Sequence, residues 1–262
     1  MKVALLGDIH ANLQALDTVL AHARQQQVDA IWDIGDYVGY GAYPDEVVRR
    51  MMKVEDLSIA GNYDLKVLRF PKKKDKWRKT KTTQKYLAFK WAYENLSKKS
   101  RKYLRSLPKE IRFEAEGRSI LLTHGSPASN EEHLTPGTPL ERLKELAEMT
   151  ALNKDSSRVQ DQADLIICGH SHRAFAREVD GTWFINTGSV GRPDDEDPRA
   201  CYAVLQLSQD ELHVEHFRLE YDVEGAVAAI REKGLPEAFA QMLLQGVDLE
   251  TVLQTKNLTE RE

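Results

Sequence analysis

Residues 2–12 read Lys-Val-Ala-Leu-Leu-Gly-Asp-Ile-His-Ala-Asn. The apolar run stops at Gly7-Asp8, which is the pattern of a short buried strand, and Asp8 and His10 stand where that strand gives way. Residues 12–26 then place Leu13, Leu16, Val19, Leu20 and Ala23 at helical spacing, with Asn12 as the N-cap. The same unit recurs downstream. Residues 29–34 form a second apolar run ending at Gly35-Asp36, residues 44–53 read as a helix with Pro44 near its start, and residues 57–60 end at Gly61-Asn62. This β–α–β–α–β alternation predicts a parallel or mixed sheet with helices packed on its faces.

Beyond residue 110 the signals become antiparallel. Residues 111–116 and 119–123 read as a hairpin joined at Glu116-Gly117, and the second strand ends at His124-Gly125. Residues 139–152 read as a helix, and residues 164–168 as an apolar strand ending at Gly169-His170. Residues 174–179 and 183–185 flank Asp180-Gly181, a strong hairpin turn. Residues 200–207 and 211–219 give a last hairpin, followed by amphipathic helices over about 223–233 and 236–244. The expected fold class is therefore α/β, with two packed sheets flanked by helices.

The stretch between the two halves is different in charge. The segment 66–109, bounded by Lys66 and Lys109, holds 17 Lys/Arg against the two acids Asp75 and Glu94. The rest of the chain is correspondingly acidic, since the whole carries a formal charge of −4. Within the segment, residues 84–96 and 100–107 read as helices, whereas residues 72–81 show almost no apolar periodicity and read as a loop. Such asymmetry suits a polyanionic partner, and equally a solvated helical face.

Composition narrows the class further. The 262 residues, 41% of them hydrophobic, suffice for a sizeable core without disulfide support. The division expected is one domain over residues 1–262, with a basic helical insertion at about 66–109 and a C-terminal helical extension at about 222–246. Cys168 and Cys201 do not make a disulfide framework and read as buried thiols, which points to a cytoplasmic protein. No apolar run reaches the length of a membrane span, and the apolar start is too short for a secretory signal.

Five strand ends carry the chemistry: Gly7-Asp8-Ile9-His10, Gly35-Asp36, Gly61-Asn62, His124-Gly125 and Gly169-His170-Ser171-His172. In α/β sheets ligands bind beyond the carboxyl ends of strands. Singly, Asp-x-His arises by chance, His-Gly is commonly a turn, and Asp36 could be a turn aspartate. Together they supply Asp8, Asp36, Asn62, His10, His124, His170 and His172, a donor set of oxygen and nitrogen with no thiolate. That set suits Mn, Fe, Zn, Co, Ni or Mg. Seven ligands are too many for one tetrahedral ion and suit two ions sharing one carboxylate. Such a pair lowers the pKa of a bridging water, and the hydroxide formed can attack phosphorus. His22, His133, His213 and His216 fit no ligand pattern and read as surface residues.

These motifs resemble the calcineurin-like metallophosphoesterase superfamily, and within it the small prokaryotic phosphodiesterases of the YfcE-like type. The matching stretches are Gly-Asp-Ile-His-Ala-Asn, Gly-Asp-Tyr-Val-Gly-Tyr-Gly, Leu-Leu-Thr-His-Gly-Ser-Pro, Cys-Gly-His-Ser-His-Arg and Asn186-Thr-Gly-Ser-Val-Gly191. The resemblance implies a four-layer α/β/β/α sandwich. It implies two divalent metal ions, manganese foremost. Asp8, His10, Asp36 and His172 would hold one ion, and Asp36, Asn62, His124 and His170 the other, with Asp36 bridging. The stretch 186–191 reads as a wall of the pocket or as a plain glycine-rich turn.

One departure matters. Where the family has Gly-Asn-His-Asp or Gly-Asn-His-Glu, this chain has Gly61-Asn62-Tyr63-Asp64. The family histidine protonates the leaving oxygen. Tyr63, with a reference pKa of about 10 against about 6.5 for histidine, can donate a hydrogen bond but is a weaker acid. Asp64 is expected to orient a metal-binding histidine. The catalytic candidates are thus Tyr63, Asp64 and Asn62.

The function expected is a hydrolase, a metal-dependent phosphodiesterase acting on a small or nucleotide-like phosphoester. A catalytically weak interaction scaffold is the alternative from another class. A third reading is a nucleic-acid-directed phosphoesterase using Lys72-Lys73-Lys74-Asp75-Lys76-Trp77-Arg78-Lys79, basic residues with an interleaved aromatic. A homo-oligomer stays open.

Overall fold

A computed structural model describes residues 1–151 and 162–259. The first half runs β1 (Lys2–Leu6), α1 (Leu13–Gln25), β2 (Ala30–Asp33), α2 (Pro44–Met51) and β3 (Leu57–Ser58), then α3 (Asn62–Thr80), α4 (Thr83–Asn95) and α5 (Lys98–Ser106). The second runs β4 (Glu110–Ala115), β5 (Arg118–Thr123), α6 (Leu140–Ala151), β6 (Leu165–Cys168), β7 (Phe175–Val179), β8 (Thr182–Asn186), β9 (Ala200–Leu207) and β10 (Leu212–Leu219), closing with α7 (Val223–Glu232), α8 (Glu237–Gln245) and α9 (Leu249–Thr259). The predicted helix end at Leu152 lies outside the described residues.

Two five-stranded mixed sheets result, in the orders β10-β9-β1-β2-β3 and β4-β5-β6-β8-β7. Strand alternation explains why they stack. Val3 and Leu5 of β1 join Trp32, Ile120, Leu122, Ile167 and Ile185 in the core between the sheets. Ala4 and Leu6 point the other way, onto Leu16, Val19 and Leu20 of α1. On the far side Leu121, Ile166 and Phe184 meet Leu143 and Leu146 of α6. Period-two strands buried on both faces therefore give helix, sheet, sheet and helix, the four layers expected. Each such fully buried aliphatic side chain stabilises the fold by about 1.5–3 kcal/mol.

Two features differ from the sequence reading. Residues 72–81, read as a loop, belong mostly to α3, a continuous helix despite Pro71. Phe70 and Trp77, seven residues apart on one face, pack against α4, Phe70 on Tyr86 with ring centroids 5.5 Å apart and Trp77 on Phe89 at 5.0 Å. Two large contacts in a lysine-rich stretch give little periodicity, yet Lys and Arg are good helix formers and the aromatics anchor the inner face. The second is α9, beyond the extension expected to end near residue 246. The Asp248 side chain caps it by accepting the N–H of Thr251 at 2.7 Å. Among the described residues no helix is long and apolar enough to cross a membrane, and Cys168 and Cys201 are buried and free.

Candidate metal centre

The ligand candidates sit on the turns that leave β1, β2, β5 and β6 and on the first turn of α3. Those turns are bent sharply. Asp8, His10, Asp36, His170 and His172 all have left-handed backbones, with φ of 53°, 48°, 60°, 63° and 58°. Such conformations cost of order 1–3 kcal/mol each at non-glycine residues and persist only where the surroundings over-determine them. Here they do. Asp8 donates its N–H to Gly35 O at 2.9 Å, His10 to Asp36 O at 2.9 Å, and Gly169 to His124 O at 2.9 Å. His170 N–H reaches Asp8 Oδ2 at 2.9 Å. Glycine is needed where the turns touch: a Cβ on Gly61 would lie 2.2 Å from the backbone nitrogen of Asp36, and one on Gly35 2.2 Å from Gly61 N.

Two groups of donors converge. Asp8, His10 and His172 form one, and Asp36, His124 and His170 the other, the atoms of each lying within 4.8 Å of one another. Asp36 Oδ2 lies between them, 3.5 Å from His124 Nε2 and 3.7 Å from His10 Nε2. Asp8 Oδ1 is 3.3 Å from His172 Nε2. Three imidazoles are fixed by backbone carbonyls, which only accept. Nδ1–H donates to Val38 O from His10 at 3.3 Å, to Ile34 O from His124 at 2.8 Å, and to Arg192 O from His172 at 2.6 Å. That assigns a proton to each Nδ1 and turns each Nε2 inward. Asn62 lines the same cleft, of about 380 Å³, with His10, Asp36, Tyr63 and His170.

The electrostatics follow from two carboxylates enclosed with imidazoles. Burial alone would raise the Asp8 carboxyl, but His172 and its neighbours hold it well below the usual range. Burial, then Arg192, pushes His10 down to about 3. Burial, then His124, lowers His170 to about 4. Burial opposes charge on His124 too, yet Asp36 and Asp8 carry it up to about 10. A cluster that draws a proton onto a fully buried imidazole has surplus negative charge, which a divalent cation would neutralise. Asp8 Oδ1, Asn62 Oδ1 and His124 Nε2 are buried without a hydrogen-bond partner. Unpartnered atoms of this kind fit a divalent cation, which would take up their lone pairs.

Several residues behave differently from the sequence reading. Asp64 does not orient a histidine: its Oδ2 accepts the backbone N–H of Asp36 and of Gly61, each at 2.9 Å. Tyr63 faces the cleft edge-on to His10 with centroids 5.2 Å apart, and its hydroxyl bonds that of Tyr40. The stretch 186–191 lies behind the Asp8 turn as a brace, Ser189 Oγ donating to Asp8 O at 2.8 Å. His216 is half-buried and bonds Asn186 O at 2.7 Å, and His22 bonds the Tyr202 hydroxyl at 2.7 Å, so neither is a free surface residue. His133 is exposed but stacks on His170 at 4.4 Å. Trp77, read as part of a basic-aromatic patch, is packed on Phe89.

Three cleft residues carried no signal of their own in the sequence. Tyr40 and Arg192 sit inside or directly after the glycine motifs and could have been suspected from that adjacency. Glu131, which pairs with Lys66 at 2.9 Å, could not. The basic helices and the C-terminal helices meet over the cleft, where Lys85 of α4 pairs with Glu250 of α9.

Fold and site together define an α/β/β/α sandwich with paired clusters suited to divalent cations. Residues 1–210 match the family model of the calcineurin-like phosphoesterase superfamily domain, and the chain belongs to that superfamily. It is 30% identical over 261 residues to the uncharacterized protein MJ0912 of Methanocaldococcus jannaschii, covering 93% of this chain and 98% of that one. Among solved structures it is similar to a metallophosphoesterase from Sphaerobacter thermophilus, with 28% identity and a TM-score of 0.72 over 94% of this chain and 99% of that one. It also shares its fold with the hypothetical protein PH1004 of Pyrococcus horikoshii, with 21% identity and a TM-score of 0.82 over 94% of this chain and 98% of that one.

Proposed function

We propose that the chain is a metal-dependent phosphodiesterase with a dinuclear centre, acting on a small or nucleotide-like phosphate ester. The observation that carries this reading is Asp36 Oδ2, placed between the two donor clusters at 3.5 Å from His124 and 3.7 Å from His10. Asp8, His10, Asp36 and His172 would hold one ion and Asp36, Asn62, His124 and His170 the other, with manganese the first candidate. Two such ions, when bound, supply an acidified water as nucleophile and offset the charge of the phosphoryl oxygens.

The protein's own groups do the rest. The carbonyls of Val38, Ile34 and Arg192 hold three Nε2 atoms inward before any cation arrives, which limits the reorganisation needed on binding. Tyr63 stays protonated, since burial and then Tyr40 raise its hydroxyl well above 10. It can therefore steady a departing oxygen by hydrogen bonding, not by giving up its proton outright. That favours esters with good leaving groups.

The test is a panel of phosphomonoesters and phosphodiesters, assayed with Mn, Co, Ni, Zn, Fe and Mg, alongside metal analysis of the purified protein. Turnover of diesters with two bound ions is expected. The absence of a titrating imidazole at Tyr63 favours one rival, an interaction scaffold of the same fold. Stoichiometric metal with no turnover on any ester would decide for the scaffold.

A further inference from the structure

Arg192 holds His172 through its backbone carbonyl, and its side chain enters the cleft beside His10, His172 and Tyr63. The guanidinium carbon lies 4.9 Å from the centre of the Tyr40 ring, whose hydroxyl bonds that of Tyr63. Its Nη2 is 3.4 Å from His172 Nε2 and 3.2 Å from Nδ1. The shorter approach is not a hydrogen bond, because Nδ1 carries the proton given to Arg192 O at 2.6 Å. Arg192 Nε is buried without a partner. Among the described residues no carboxylate forms an ion pair with the guanidinium, and Asp194 and Asp8 act on it only through space.

A guanidinium stays charged at any working pH. Holding one partly buried, with its Nε unpartnered and no bonded anion, is unfavourable. Its position makes the imbalance sharper. His172 Nε2, one of the candidate ligand atoms, lies only 3.4 Å from Nη2, so a cation held by His172 and the guanidinium would be close and repel. An anion in contact with both relieves both charges. The planar fork offers paired N–H donors that match two oxygens of a tetrahedral anion. Tyr40 below it fixes the plane of the fork.

We propose that Arg192 binds the phosphoryl group of the substrate, donating to its oxygens on the side of the cleft where Tyr63 stands. The proposal rests on the phosphoesterase reading of the site and deepens it. Arg192 then places the ester's phosphorus over the metal clusters and its leaving oxygen towards the Tyr63 hydroxyl.

The experiment measures orthophosphate binding to the Mn-loaded protein by calorimetry, with metal content determined on the same samples. Arg192→Gln should weaken orthophosphate about 10- to 100-fold, the worth of a charge-assisted hydrogen bond. Arg192→Lys, which keeps the charge but loses the fork, should weaken it less and serves if the glutamine variant fails to fold. Both should retain the parent's metal content, and kcat/KM on diesters should fall about 10²- to 10³-fold in Arg192→Gln. Unchanged orthophosphate affinity in both variants overturns the proposal, as does a loss that merely follows loss of metal. A parent that binds orthophosphate through Arg192 yet cleaves no ester would sink the enzymatic reading and leave the anion site standing. A parent that takes up metal but no orthophosphate would end the Arg192 proposal alone.

Discussion

Oδ2 of Asp64 accepts the backbone N–H of Asp36 at 2.9 Å. The same oxygen accepts the N–H of Gly61, and Asp36 Oδ1 in return accepts the N–H of Tyr63 at 2.7 Å. The pair ties the end of β2 to the start of α3, two segments whose strands pair at only Trp32–Leu57 and Asp33–Ser58. Asp64→Ala would leave two buried amides without an acceptor, at about 1–3 kcal/mol each. Urea unfolding of the metal-free protein should show a loss of about 2–4 kcal/mol, smaller in Asp64→Asn. A loss under about 0.5 kcal/mol, the range of a surface change, would remove this bracing role.

Metal binding should be graded by ligand. With Asp36 between both clusters, Asp36→Ala should lower bound metal from two ions towards none, whereas His170→Ala should remove one. Metal analysis after dialysis checks this. Metal should also raise the melting temperature of the parent, since ligand at 100 times its Kd stabilises by about 2.7 kcal/mol. Equal metal content in both variants would break the shared-carboxylate geometry.

Tyr63 offers a test by leaving group. Tyr63→His restores an acid that titrates near pH 6.5 and should raise kcat on alkyl diesters by about 10-fold or more, with less effect on aryl diesters, in line with general acid catalysis. Tyr63→Phe should slow both. Rates that match the parent on every ester would show that Tyr63 only packs against Tyr40, His10 and Phe89.

Away from the site, Glu55 should make stability pH-dependent. Burial pushes its carboxyl up to about 7, and the Tyr103 hydroxyl donates to its Oε1 at 2.6 Å. The folded state thus holds a proton that the unfolded chain, with the ordinary value of 4.5, releases sooner. This contribution is complete below pH 4.5 and is lost as pH rises through about 7. Glu55→Gln should therefore gain on the parent between pH 4.5 and 8, by on the order of 1 kcal/mol after solvent screening. Urea midpoints at the two pH values read it, and a constant difference between variant and parent would contradict the assignment.

The sandwich was legible because its signals are local. Gly7, Gly35, Gly61 and Gly169 end or follow apolar strands, and Val3/Leu5 against Ala4/Leu6 already sorts the faces of β1. The helix across residues 72–81 was not legible, since Phe70 and Trp77 have meaning only once Phe89 lies opposite them. Likewise Asp64, set against the family pattern Gly-Asn-His-Asp, suggests a histidine partner, and only the bend of the chain shows that the backbone amides of Asp36 and Gly61 reach it first.

By itself the sequence determined the layers, the strand ends and the donor types, because periodicity and turn chemistry act over a few residues. Only the tertiary structure decided which atoms meet: Asp36 between two imidazoles, Tyr63 against Tyr40, Arg192 beside His172. The site joins residues as far apart as His10 and His172, 162 positions along the chain, and left-handed turns aim them. No local pattern encodes the distance between side chains that the packing of two sheets brings together.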